Sequence, residues 1–124
     1  MVLELSDTLF SVCKLSSFDG VDFTKPFTFT GVSEKEYSLV CQSLNKPNNV
    51  IDAEDGWRLF RLQGSFEFYI VGIIAELTSL LQQAKIPVFV ISTFDTDYIL
   101  LKKEYVDSAT EVFKSAGHKI VALK

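Results

Sequence analysis

From Trp57 onward the spacing of apolar residues switches repeatedly between strand-like and helix-like periods. WRLFRLQ, ended by Gly64, predicts a strand. Residues 71–84 place Ile74, Leu77, Leu81 and Ala84 three or four positions apart, the stripe of a helix. VFVIST after Pro87 is a β-branched run, and YILLKK returns across a short turn, so the pair predicts a hairpin. A second helix is expected over 103–116, with Val106, Ala109, Val112 or Phe113, and Ala116 on one side and Gly117 as its stop. HKIVAL closes as a strand.

The order β-α-β-β-α-β is the split arrangement of a ferredoxin-like α+β fold, in which right-handed crossovers lay both helices on one face of a four-stranded antiparallel sheet. VFVI and YILL are apolar at successive positions, the pattern of strands covered on both faces. The second face therefore needs a cover, either the first 55 residues or another copy of the chain. Those first residues are strand-rich, with TLFSVCKL, FTFTGV and YSLVCQ separated by polar, Gly and Pro positions. We expect two parts, 1–55 and 56–124, with 43–56 (NKPNNV, DAEDG) as the linker. Sliding the chain on itself by 61 positions sets residues 31–40 on STFDTDYILL, so a strand, acidic turn and strand recur.

Composition narrows the function classes. The 124 residues carry a net charge of -4 and no basic run, which argues against nucleic acid as a partner. MVLELSDTLF lacks the features of a signal peptide, and no apolar run is long enough to span a membrane, so a cytoplasmic location is expected. Cys13 and Cys41 lie in apolar runs and are expected in the core; with His118 the one histidine, there is no basis for a zinc site or a Cys-His pair. No cofactor is expected. An enzyme lacks support too: there is no nucleophile-base pair and no phosphate loop, and D-T-D lacks further ligands at metal-binding spacing.

The turn STFDTDYILL raises the chemical question, because a turn needs at most one Asx side chain to cap its backbone and this one has Asp95 and Asp97. The first helical turn around Val71, Gly72 and Ile73 offers unpartnered N–H groups and the positive end of a dipole, suited to a carboxylate. An aspartate with the Thr93 hydroxyl suits an ammonium group, so a zwitterion fits both ends. Against this stands the plainer account, in which Gly72 only permits close helix packing and both aspartates are solvated turn residues. Phe66, Phe68, Tyr69 and Phe94 are likewise read as core before ligand platform.

GWRLFRLQG, then F-x-x-x-G-I-I-A-E-L, then I-P-V-F-V-I-S-T-F-D-T-D-Y-I-L-L resembles the ACT-domain family related to the regulatory part of aspartate kinase, in a small stand-alone form similar to one module of the CASTOR arginine sensors. The resemblance is close from Gly56 to Gly117 and weak before it. It implies a degenerate ACT-like half followed by an ACT domain, non-catalytic, binding amino acids at an interface between ACT units. Its ligand loop falls on Gly72, Ile73 and Ile74, its second-strand end on Ser92, Thr93 and Phe94, and its acidic contact on Asp97, with Asp95 beside it. Because the arginine sensors hold two modules in one chain, a comparable interface here requires a homodimer, and the signal must reach a partner protein. The competing expectation is a structural or protein-interaction module whose ligand site is vestigial.

Overall fold

The computed structural model describes residues 1–63 and 72–124, which form two compact units: Met1–Asp7 with Arg58–Lys124, and Thr8–Trp57. The predicted loop aromatics Phe66, Phe68 and Tyr69, and Val71 at the expected helix start, lie outside the described residues.

The larger unit is built from β1 (Val2–Leu5), the second part of β5 (Val50–Gln63), α1 (Ile73–Gln83), β6 (Phe89–Ser92), β7 (Asp97–Lys102), α2 (Val106–Ser115) and β8 (Lys119–Ala122). From β5 onward the order is β-α-β-β-α-β, as the spacing predicts. Leu77 and Leu81 on α1 and Val106, Ala109 and Phe113 on α2 join Leu3, Phe60, Leu62, Ile99 and Leu101 in one buried cluster, so both helices pack on the same sheet face. Residues 103–105 form a 3₁₀ turn before α2, which ends at Gly117 with φ +93.

The sheet differs from the expected four strands. β1 is inserted between β5 and β8, antiparallel to the former and parallel to the latter, and β7 pairs with both β5 and β6. MVLELSD gave no strand signal because four residues are too few for a period to show. The consequence is that Met1–Asp7 packs with 58–124, where a division at residue 55 had set it with the other part. Leu59 and Leu100, which alternate with the helix-facing residues, are also fully buried.

The smaller unit carries β2 (Phe10–Leu15), β3 (Phe29–Val32), β4 (Tyr37–Gln42) and the first part of β5. β2 lies between β4 and β5, and β3 pairs with β4 at the edge. Cys13, Leu15, Leu39 and Cys41 form its core with Val50 and Ala53 packed against them. The expected linker 43–56 is therefore structural: 43–45 is a 3₁₀ turn, and DAEDG continues β5, bent by bulges opposite β2. Its composition reads as loop because Asp52 and Glu54 are exposed while Ala53, small and inconspicuous, packs inward.

Both units contain a strand-turn-strand-3₁₀ segment, and its spacing is 60, not 61. β3, β4 and 43–45 correspond to β6, β7 and 103–105, and the bond from Ser33 N–H to Glu36 O (3.1 Å) matches that from Thr93 N–H to Thr96 O (2.8 Å). The one-residue slip came from aligning acidic residues, whereas the backbone aligns Tyr37 with Asp97 and Glu36 with Thr96.

Candidate ligand site

Gly72 sits immediately before α1 with φ +85, a left-handed conformation that glycine adopts without the strain other residues incur. Among the described residues a Cβ there would meet nothing within 4 Å, so the glycine serves the backbone turn and not close packing against them. Its carbonyl accepts the first helical bond, from Glu76 N–H at 2.8 Å. The N–H groups of the following turn, among them those of Ile73 and Ile74, precede any intrahelical acceptor and carry the positive end of the dipole. The side chains of Ile73 and Ile74 pack against the helix-facing core, so these residues offer backbone, not side-chain, chemistry.

The β6–β7 hairpin gathers the remaining predicted residues. Ser92 pairs with Asp97 at the turn end of the ladder. Thr93 Oγ1 donates to Thr96 O at 3.0 Å, and Thr96 Oγ1 donates to Leu62 O at 2.8 Å, which ties the turn to β5. Phe94 stands at the tip with 95% of its surface exposed, outside the core to which such an aromatic is ordinarily assigned. Asp95 is exposed and Asp97 half-buried, and neither carboxylate has an ion-pair partner among the described residues.

Strand alternation separates the two aspartates. Asp97 is in phase with Ile99 and Leu101, which face the helices. Asp95 instead lines a cleft of about 340 Å³ with Glu4, Arg61, Gln63, Thr96 and Tyr98. Arg61 and Glu4 are cross-strand partners and form a bidentate pair, Nε to Oε1 at 2.9 Å and Nη2 to Oε2 at 3.3 Å. The hydrogen bonds to Glu4, and secondarily the neighbourhood of Tyr98, hold the guanidinium protonated even above its ordinary range. Periodicity had placed Glu4 in no element and Arg61 on an unassigned face, so neither stood out in the sequence.

The other titratable candidates are structural. His118 is buried, and its Nε2 donates to Glu76 Oε2 at 2.6 Å, which ties the loop after α2 to the first turn of α1. Cys13 and Cys41 are buried thiols; burial raises both pKa values, that of Cys41 to about 11. Thiols held neutral in this way are poor nucleophiles.

The ACT-domain profile matches residues 52–115, more than half the chain. The chain belongs to the ACT-domain family. Comparison with curated protein sequences returns no match. A structure from Agrobacterium tumefaciens is similar over 99% of this ACT-domain chain and 93% of its own, with a TM-score of 0.85 and 26% identity. Aspartate kinase from Clostridium acetobutylicum matches 92% of this chain with 34% of its own length, at a TM-score of 0.69 and 11% identity. The ligand-free regulatory subunit of aspartate kinase from Thermus thermophilus matches 93% of this chain and 96% of its own, at a TM-score of 0.58 and 8% identity. At such identities these two kinase structures carry the fold alone, an α+β ACT-type fold.

Proposed function

We propose that this ACT-domain chain is a non-catalytic, cytoplasmic regulatory protein that binds a free amino acid and, through a ligand-sensitive homodimer interface, alters the activity of a partner protein. The observation that carries the proposal is Gly72: a left-handed glycine at the head of α1, with no described residue within 4 Å of a Cβ placed there, on the side of the sheet toward which Asp97 points. The N–H groups after Gly72, including Ile73 and Ile74, receive the ligand's carboxylate. Asp97 receives its cationic group, while Ser92, Thr93 and Phe94 form the rim and Asp95 adds negative potential. Two or three charge-assisted hydrogen bonds of about 1.5–3 kcal/mol each, set against the cost of immobilising a ligand, give roughly micromolar to millimolar affinity, a range suited to sensing metabolite levels.

A thermal-shift screen against the common amino acids, with a sizing column beside it, tests the proposal. One amino acid should raise the melting temperature of the native chain by mass action and shift it toward dimer. Asp97→Asn should abolish both effects. A flat screen on a stable dimer would favour the alternative, an interaction module; the observation on its side is Phe94, a solvent-facing aromatic at the turn tip, of the kind enriched at protein interfaces.

A further inference from the structure

The Glu4–Arg61 pair is an expensive feature for a strand interior. Glu4 keeps 9% of its surface exposed, and removing a carboxylate from water costs several kcal/mol unless its partner is well placed. Apolar residues at 4 and 61 would extend the buried face already formed by Leu59 and Leu100. The pair instead sits on the floor of the 340 Å³ cleft, on the sheet face opposite the helices, since Glu4 alternates with Leu3, and Arg61 with Phe60 and Leu62, of the helix-facing core. The Arg61 side chain retains 31% of its surface, against 11% for that of Glu4, so Arg61 is the more exposed member of the pair. Asp95 is carried to the cleft by a turn that Thr96 fastens to Leu62.

The geometry points to a second binding site in this cleft, for a small zwitterion of amino-acid size, with its carboxylate toward Arg61 and its cationic group toward Asp95. The volume is at the lower end of small-molecule pockets, roughly 300–1,000 Å³. An apolar occupant would strip water from Arg61, Gln63 and Asp95 without replacing their hydrogen bonds. A polyanion would meet Asp95 and Glu4, and a simple cation would be opposed by Arg61. A molecule carrying both signs satisfies both ends, and Tyr98 and Gln63 supply polar walls. This site does not depend on the helix-face site, because Asp97 is out of phase with it.

The ¹⁵N-labelled chain, titrated separately with L-lysine, L-arginine, L-aspartate and L-threonine, provides the test by amide chemical shifts. At least one of the four should move the amides of Glu4, Arg61, Asp95 and Tyr98, and should still do so in Asp97→Asn. The double variant Glu4→Gln/Arg61→Gln, which removes both charges and keeps the shape, should weaken that response by about tenfold or more, the equivalent of one charge-assisted bond. Should the double variant not fold, Asp95→Asn, at an exposed position, should weaken it by a similar factor. The proposal is overturned if none of the four amino acids moves these amides, if the response survives both variants, or if it disappears in Asp97→Asn. Shifts that follow protein concentration without added amino acid would also overturn it, by showing that a second protein molecule fills the cleft. Failure confined to Gly72–Ile74 and Asp97 would count only against the helix-face site.

Discussion

Single residues decide what the chain can bind. Gly72 is needed for its φ of +85, since no described residue lies within 4 Å of a Cβ placed there. Gly72→Ala should therefore cost about 1–2 kcal/mol of stability in a urea titration, from backbone strain without a clash. Asp97→Asn should leave the apo melting temperature nearly unchanged, since the carboxylate holds no ion pair among the described residues, and should remove the amino-acid-induced shift. The buried thiols predict a pH response with a definite sign. Their folded pKa values lie above the ordinary 9.0, that of Cys41 at about 11, so the folded state binds protons more tightly than the unfolded one. Stability from this source is fully present below about pH 9 and falls as the pH rises toward 11. Denaturation midpoints measured from pH 8 to 11 should show that fall, reduced in Cys41→Ala. Most of these residues were visible as types in the sequence. Their directions were not: the alternation that sends Asp95 and Asp97 to different faces depends on where β7 begins, and the turn composition leaves that uncertain by one position.

At the scale of elements, periodicity revealed what was long enough to show it. The stripe Leu77 and Leu81 located α1, Val106, Ala109 and Phe113 located α2, and the β-branched run after Pro87 located β6. β1 escaped because four residues cannot establish a period, although Leu3 is fully buried in the main cluster between two neighbouring strands. Leu3→Ala should cost about 2–5 kcal/mol, as much as truncating a central core residue, and amide exchange at β1 should be as slow as at β5. DAEDG was misread for the opposite reason: its composition announces a loop, yet its ladder with β2 and the inward Ala53 make it a strand. A similar limit applies to the repeat, where matching acidic side chains gave an offset of 61 and the hydrogen-bonded turns give 60.

At the scale of the whole molecule, the two units share a strand-turn-strand-3₁₀ segment but differ in what surrounds it. The larger unit adds α1 and α2, whereas the smaller has neither helix among its described residues and places Tyr37 where Asp97 stands. The smaller unit thus lacks the carboxylate that the proposed site requires, so ligand-dependent assembly should rest on the larger unit. Sedimentation equilibrium with and without the amino acid found in the thermal screen should show a tighter dimer with wild type and no change with Asp97→Asn. The insertion of β1 also bears on how the chain folds. Val2 pairs with Lys119, 117 positions later, so joining β1 to β8 closes a far longer loop than joining it to β5, whose Gln63 is the other partner of Val2. Loop-closure entropy therefore falls most heavily on the last seam of the sheet, the one that holds β8.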